Sequence, residues 1–228
     1  TSMEAISEAV SFGIPKERVH MIPNGVDTER FRPLGSIEKE QVRRHLGFVG
    51  GQLVLYCGRL YPAKNPLGLI EAWKIVHESC PDAKLCFVGD GPLAAAMEEK
   101  IALLGLKKSV HLQGPVQDVL PWYQAADIFA LPSHFEGLSN SLIEAMSCGL
   151  PVVSTRVSGS EDIFEIADIG EIVDTGDMLG FAAGLIRLIE NSKRRDECGG
   201  RAREVAVARY SIAYVAERTE QLYRELLQ

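Results

Sequence analysis

Short apolar runs alternate with helical segments along most of the chain, and this alternation limits the fold more than any other feature of the sequence. Strands that alternate with helices of this length predict a parallel sheet with helices on both faces. We therefore predict an α/β fold with one doubly wound parallel sheet over residues 15–210. The predicted strands are 19–22, 53–57, 84–88, 110–113, 128–131, 152–154 and 171–173. The predicted helices are 41–45, 66–78, 93–104, 119–125, 141–148 and 179–190.

Both ends of the chain are predicted to form helices outside this sheet. Residues 1–14 open with Thr1-Ser2-Met3-Glu4, which is typical of a capped helix start. The absence of an initiator methionine suggests a chain cut from a longer protein. Residues 211–228 form an amphipathic pattern whose polar face is not basic, which favours packing on a neighbouring surface over membrane binding. Its apolar positions are Ile212, Val215, Leu222 and Leu226, with Thr219 between them.

The composition is that of an ordinary globular protein. The chain has 228 residues, of which 46% are hydrophobic and 24% charged. A net charge of −7 argues against a nucleic-acid-binding surface. No apolar run approaches the roughly 20 residues of a membrane span, and no secretory signal opens the chain. The five cysteines include no C-x-x-C pair and lie mostly in apolar contexts, so we expect reduced thiols and a cytoplasmic protein.

The sequence does not favour a metal site. The five histidines have no second histidine or cysteine at metal-binding spacing. The chain also lacks Asp-x-Asp, which holds Mg²⁺ or Mn²⁺ against the diphosphate in many nucleotide-dependent enzymes. We therefore predict no metal and no other cofactor.

Two glutamates flank a predicted helix start in residues 134–151. Glu136 lies just before it and Glu144 about one turn inside it, because Gly137 and the cap-type residues 139–141 place the start near residue 140. The N–H groups of a first helical turn attract anions. An elongated ligand with hydroxyls at both ends and phosphates between them would fit, namely a nucleotide sugar. Alternatively, Ser141-x-x-Glu144 is a capping box and Glu136 an exposed loop carboxylate.

Cations follow the predicted strand 53–57. Gly58 ends this strand, and Arg59 and Lys64 bring two positive charges to the carboxyl edge of the sheet. Asn65-Pro66 is typical of an N-cap followed by proline at the first helical position. Such a cation pair would neutralise a diphosphate leaving group. The alternative is two surface cations in a loop.

Two further strand ends carry weaker signals. Gly89 and Gly91 match G-x-G-x-x-A after a strand, but no carboxylate follows at the spacing that dinucleotide binding requires. Pro92 also removes an N–H that could have served a pyrophosphate. We interpret the two glycines as a tight turn near a bound base. The chain also turns sharply near Val116, where free backbone groups could contact a base edge.

Together these segments resemble the donor-binding half of glycosyltransferase family 4, retaining enzymes of the GT-B architecture with two facing Rossmann-like domains. The matching segments are 22–33, 58–65, 88–92, 126–133 and 136–153, in the family's order. The resemblance implies that Arg59, Lys64 and Glu136 serve the reaction, with the two cations holding the diphosphate and Glu136 contacting the sugar. It also implies that Glu144 binds the ribose. The implied donor-binding residues are Gly58, Asn65, Gly89, Gly91, Val116, Gly137, Leu138, Ser139, Asn140, Ser141 and Glu144.

The resemblance also implies that this chain is one half of a longer enzyme. Residues 1–14 would end the missing N-terminal domain or the interdomain crossover, 24–27 would form a structural turn, and 211–228 would pack toward the missing domain. That domain would bind the acceptor and could attach the enzyme peripherally to the cytoplasmic membrane face. The fragment alone is then expected to bind nucleotide sugar weakly and to transfer sugar poorly or not at all.

Two other functions fit parts of the pattern. A nucleotide-sugar epimerase would also use phosphate-binding cations, but it requires acid and base groups facing the sugar, for which only His134 and Glu136 are candidates. A non-catalytic module could bind a nucleotide sugar in the same cleft. A glycoside hydrolase would give Arg59 and Lys64 no task.

Overall fold

The computed structural model describes residues 3–227, with side chains from residue 6 onward, and they form six strands and ten α-helices. The strands are β1 (Leu53–Cys57), β2 (Lys84–Val88), β3 (Val110–Gly114), β4 (Ile128–Leu131), β5 (Val152–Thr155) and β6 (Gly170–Val173). The helices are α1 (Met3–Ser11), α2 (Ser36–His45), α3 (Pro66–Ser79), α4 (Ala94–Leu103), α5 (Leu120–Ala125), α6 (Asn140–Ser147), α7 (Ser158–Ile166), α8 (Met178–Glu190), α9 (Ser192–Tyr210) and α10 (Ile212–Leu226).

The strands form one parallel sheet in the order β3-β2-β1-β4-β5-β6. This order is that of a Rossmann-like, doubly wound sheet, in which the chain reverses direction across the sheet between β1 and β4. The predicted fold class is therefore confirmed. Six of the seven predicted strands are present, with ends within one residue of those predicted.

Alternating side chains of the central strands serve two separate cores. Leu53 and Leu55 of β1 pack in a cluster with residues of α5, α6 and α9, whereas Val54 and Tyr56 pack with residues of α3, α4 and α8. Successive side chains of a strand point to opposite faces, so a strand covered on both sides needs apolar residues throughout. The continuous apolar run of β1 is the sequence signature of this arrangement.

The predicted strand at 19–22 is wrong. These residues lie outside the sheet, and the only ladder contact near them is a parallel bridge between Val26 and Ser211 among the residues that the structure describes. The N–H of Val26 donates to the carbonyl of Tyr210 at 2.7 Å, and the N–H of Ile212 donates to the carbonyl of Val26 at 3.0 Å. The apolar run 19–22 therefore precedes the sheet, and the chain is fastened to the α9–α10 junction just after it.

The helix α7 was not predicted, and α9 was predicted only in part, since the charged cluster 193–197 is typical of a solvated helix face. The first turn of α9 is highly charged, and Gly199 and Gly200 lie in its middle. Its buried face is built mainly from small side chains, including Cys198, Ala202 and Ala206, with Tyr210 at its end. A face of this kind lacks the stripe of large apolar residues by which amphipathic helices are recognised.

Helices are present near both ends, as predicted. Thr1 and Ser2 of the predicted helix cap lie outside the described residues, and α1 packs against α7. Large apolar side chains of α10 are exposed, with Ile212 56%, Tyr223 62% and Leu226 66% accessible. The packing of α10 toward a further domain stays a prediction. None of the described helices combines the length and apolar character needed to cross a bilayer.

Candidate functional site

The loops that follow β1 and β4 meet at the carboxyl edge of the sheet. These strands are neighbours, but the chain continues from them toward opposite edges. Ligands of open α/β sheets bind in the crevice at such a switch point. Here the N–H of His134 donates to the carbonyl of Ala63 at 2.8 Å. This bond brings the predicted cation loop and the predicted carboxylate loop together.

Lys64 and Glu136 form an ion pair across this crevice. The Nζ of Lys64 contacts Oε2 of Glu136, which also accepts from the hydroxyl of Ser133 at 3.3 Å. The two side chains are only 21% and 12% exposed. Glu136 is therefore a mostly buried carboxylate paired with an ammonium group, and it is not an exposed loop residue. The pair places one positive and one negative charge side by side where the ligand was predicted.

Asn65 holds the start of α3, as predicted from its position before Pro66. It adopts the left-handed conformation, with φ 49° and ψ 44°, and its Oδ1 accepts from the N–H of Gly68 at 3.2 Å. Its Nδ2 lies 3.6 Å from the Sδ of Met178. Both polar atoms of this amide therefore have partners within the protein. A contact between the Asn65 side chain and the donor sugar nucleotide stays a prediction, and it would have to replace one of these contacts.

Glu144 does not cap α6. The N-cap is Ser139, whose hydroxyl lies 2.9 Å from that of Ser141, and Glu144 instead accepts from the hydroxyl of Tyr123 at 2.9 Å. Tyr123 is fully buried on α5 and was not predicted to belong to the site. The capping-box alternative is therefore wrong. Glu144 is a half-buried carboxylate whose Oε2 is held by the tyrosine, and its Oε1 takes no part in that bond.

Burial raises the pKa of Glu144 above the usual value of a glutamate, against the opposing effects of the Tyr123 hydrogen bond and of the Arg30 charge. A raised folded-state pKa adds stability below the pKa of the unfolded chain, and this contribution is lost as the pH rises through the folded-state pKa. Above that pKa the ionised carboxylate is thus held at a cost to the stability of the fold. Groups maintained against stability are often functional.

The variant Glu144→Gln is expected to be more stable than the wild type at pH 7.5, because it lacks this buried charge. The difference should narrow toward pH 5, because the raised pKa of Glu144 lets the folded wild type take up a proton at a higher pH than the unfolded chain does. Urea unfolding at both pH values measures it. The exposed control Glu98→Gln should change stability little at either pH. A difference for Glu144→Gln that does not narrow at pH 5 would contradict the charge-based explanation.

Arg59 lies at the outer edge of the crevice. Its side chain is exposed, and its guanidinium lies 5.4 Å from the ring centre of Tyr61. Its backbone is fixed from below, since the hydroxyl of Tyr56 donates to the Arg59 carbonyl at 2.8 Å. Burial raises the pKa of Tyr56 and keeps this hydroxyl protonated. The side chain of Arg59 is thus exposed at the crevice on a loop whose backbone is anchored.

Close backbone packing explains why positions 89 and 91 are glycines, without any ligand. A Cβ at Gly89, where φ is +139°, would lie 1.9 Å from the carbonyl oxygen of Gly58, and one at Gly91 would lie 2.5 Å from that of Leu60. The N–H of Gly58 also donates to Val88 at 3.0 Å. The loops after β1 and β2 therefore pack backbone to backbone. The predicted position of these glycines near a base stays a prediction.

The segment 137–141 is supported from behind by α7. A Cβ at Gly159 would lie 2.2 Å from the carbonyl oxygen of Gly137 and 2.7 Å from the Cα of Leu138. Gly159 was not predicted to be near the site. Its only signal in the sequence is a glycine soon after the strand 152–154.

Val116 lies just after β3. It is half-buried against the core that contains Tyr123. Two residues on, Asp118 accepts from the N–H of Leu120 at 3.0 Å and from the Arg30 guanidinium at 2.8 Å. Arg30 is a cation that the sequence pattern did not reveal, and its charge also acts on Glu144.

Comparison with known proteins gives the family. Residues 38–205 match the sequence profile of glycosyl transferases group 1. The chain belongs to this glycosyltransferase family. This group 1 chain is also 30% identical, over 215 residues, to the Escherichia coli UDP-Gal:α-D-GlcNAc-diphosphoundecaprenol α-1,3-galactosyltransferase, covering 92% of this chain and 55% of that protein. It spans about half the length of the curated relatives it matches.

Solved structures share its fold. Anabaena HepE in complex with UDP has a TM-score of 0.90 and 23% identity, covering 98% of this chain and 62% of that chain. The C-terminal domain of LpcC, a group 1 glycosyl transferase of Francisella tularensis, has a TM-score of 0.73 and 26% identity, covering 82% of this chain and all of that domain. The group 1 chain thus has the fold of a GT-B C-terminal domain, as its resemblance to family 4 implied.

The structure brings Lys64 and Glu136 into contact just before α6 and places Glu144 on the second turn of that helix. In residues 3–227, with side chains from residue 6, no group of three or more His, Cys, Asp or Glu is arranged to hold a metal. The individual roles in donor binding stay predictions.

Proposed function

We propose that this domain binds the donor in a retaining, metal-independent glycosyltransferase of the hexosyltransferase class, which moves a sugar from a nucleotide diphosphate sugar to an acceptor. The observation that carries the proposal is the Lys64–Glu136 ion pair in front of α6. It puts a cation, a carboxylate and the N–H groups of a helix start at one switch point. These are the groups that a diphosphate joined to a sugar requires.

The donor would lie along the crevice with its base near Val116. Glu144, oriented by Tyr123, would accept hydrogen bonds from the ribose hydroxyls. Lys64, Arg59 and the first-turn amides of α6 would face the diphosphate, and Glu136 would face the sugar. The E. coli relative is named for UDP-Gal, and the HepE structure is a complex with UDP. A uridine nucleotide is therefore the first candidate.

The chemistry follows from this placement. When the anomeric C–O bond breaks, negative charge develops on the departing diphosphate, and the two cations and the amides stabilise it. The sugar centre becomes positively charged, and the acceptor would attack it from the face that the diphosphate leaves. A double displacement requires a carboxylate free to reach the anomeric carbon. Glu136 is paired with Lys64, which supports a role in orienting the sugar.

The acceptor side would come from another domain. The chain spans about half the length of its relatives. We infer that a facing domain of the same cytoplasmic enzyme binds the acceptor. That domain would also make any peripheral contact with the membrane. The isolated chain is expected to bind donor nucleotides and to show no appreciable transfer. Calorimetric titration with UDP, GDP, ADP and their glucose or mannose conjugates measures the first expectation, and a product assay the second. Binding of none of them would contradict the proposal, and efficient transfer by the isolated chain would contradict the role of the second domain.

The same product assay without acceptor separates transfer from epimerisation. An epimerase would convert the sugar while it remains on the nucleotide, and it would need an acid and a base facing that sugar. We expect no altered nucleotide sugar, because Glu136 is already paired with an ammonium group.

A further inference from the structure

Asn24 and Asn140 join the segment before the sheet to the first residue of α6. Nδ2 of Asn24 donates to Oδ1 of Asn140 at 2.8 Å. Asn140 follows the N-cap Ser139 directly, so its side chain lies at the helix start that faces the proposed diphosphate. Both asparagines are exposed. Neither the fold nor the proposed roles above explain this bond.

Asn24 is fixed by its neighbours although its side chain is exposed. Val26 exchanges two backbone hydrogen bonds with the α9–α10 junction, of 2.7 and 3.0 Å. A Cβ at Gly25 would already lie 3.3 Å from the Cα of Ile212. The backbone that carries Asn24 is therefore held close to α10. An anchored donor loses less conformational freedom on forming a hydrogen bond than a side chain on a loose loop.

The direction of the bond determines what Asn140 offers to a ligand. An amide side chain has one carbonyl acceptor and one NH₂ donor group. With its oxygen engaged by Asn24, Asn140 turns its NH₂ group away from that contact. This group then adds to the backbone N–H donors of the first turn of α6. The helix start becomes uniformly suited to oxygen acceptors such as phosphate or sugar hydroxyl oxygens.

We propose that Asn24 is a positioning residue that orients the Asn140 amide, so that the NH₂ of Asn140 donates to the β-phosphate or the sugar of the donor. The inference rests on the proposed function and deepens it, since it assigns a side-chain contact to Asn140 and a supporting role to Asn24. Asn24 itself does not touch the donor. The segment 24–27, predicted from the sequence to be a structural turn, thereby acquires a part in donor binding.

Calorimetric titration of the 228-residue chain with UMP, UDP and UDP-glucose tests this inference, with GMP, GDP and GDP-mannose in parallel. Asn24→Ala and Asn140→Ala should each weaken binding of the diphosphate or its sugar conjugate by about 5- to 10-fold, the effect of one hydrogen bond. Binding of the monophosphate, which lacks the β-phosphate and the sugar, should not change. The double variant should bind no more weakly than whichever single variant binds less tightly, because both substitutions remove the same contact.

Asn24→Asp provides a sharper test. A carboxylate at position 24 can only accept, so it would draw the Asn140 NH₂ group toward itself and turn the amide oxygen to the ligand. Binding should fall at least as far as in Asn24→Ala. The control Asn191→Asp adds the same charge at the N-cap of α9, where aspartate caps equally well, and should leave binding unchanged.

The outcomes separate the two proposals. If the wild type binds none of the nucleotides, the proposed function fails and this inference fails with it. If the wild type binds but Asn24→Ala does not weaken binding, only the inference fails. Equal losses for mono- and diphosphate, or independent losses in the double variant, would also overturn it, because they indicate a general structural effect.

Discussion

In the proposed glycosyltransferase, replacing Lys64 by alanine is expected to lower turnover about 10²- to 10³-fold, the usual effect of removing one group that stabilises developing negative charge. The change removes a cation from the proposed leaving group. It also leaves Glu136, only 12% exposed, without its counter-charge beside the expected phosphates. Repulsion should then add to the lost attraction. Initial rates at saturating donor and calorimetric titration of the nucleotide diphosphate measure the two effects.

The chain contains a matched control for this variant. Lys100 of α4 pairs with Glu71 of α3 through a similar lysine–glutamate contact. Lys100→Ala should leave turnover and nucleotide binding unchanged. If Lys64→Ala bound the diphosphate as tightly as the wild type, or if both variants lost activity equally, Lys64 would have no specific role in phosphate binding.

Replacing Gly159 by alanine is expected to lower both stability and donor affinity. The added Cβ would lie 2.2 Å from the Gly137 carbonyl oxygen, so α7 or the segment 137–141 must move. Overpacking of this kind costs about 1–3 kcal/mol. That corresponds to a melting temperature lower by roughly 2–12 °C for a domain of this size. Donor affinity should fall by about tenfold or more, because the displaced segment starts α6.

Gly200→Ala separates this collision from the general effect of glycine replacement in a helix. Gly200 lies in α9, and an added Cβ there would have no neighbour within 4 Å. This control should therefore be about 0.5–1 kcal/mol more stable than the wild type, since alanine favours helix more than glycine. Thermal unfolding of both variants gives the comparison. A Gly159→Ala protein as stable as Gly200→Ala would show that the backbone contact is easily relieved.

The sheet could be predicted because its signals are local. Each central strand is a short run of apolar residues that ends at a glycine or another turn residue, and the fully buried Leu53 to Tyr56 are an example. The run 19–22 carries the same signal but lacks a neighbouring strand in the described part of the chain. A strand requires a partner, and a local pattern contains no information about partners. Most of the helix α9 escaped prediction for the opposite reason, since its buried side chains are mostly small.

The site was predictable to the extent that single residues carry its chemistry. Lys64, Glu136 and Glu144 follow from charge and from the position of a helix start. Their partners do not. The contact between Tyr123 and Glu144 joins residues 21 positions apart, and that between Asn24 and Asn140 joins residues 116 positions apart. Position 159 must be glycine because the carbonyl of Gly137 leaves no room for a Cβ, and only the folded chain brings these two residues together. Such contacts depend on tertiary packing and leave no spacing pattern in the sequence.

The bridge between Val26 and Ser211 joins the two ends of the sheet domain. The backbone enters the sheet domain and leaves it side by side, at the spacing of paired strands, about 4.8 Å. The body between residues 26 and 211 is thus a nearly closed loop of chain, the arrangement that makes a domain transferable as one piece into another protein. The hydrogen bond of Asn24 with Asn140 adds a second link between this junction and the body, at the start of α6.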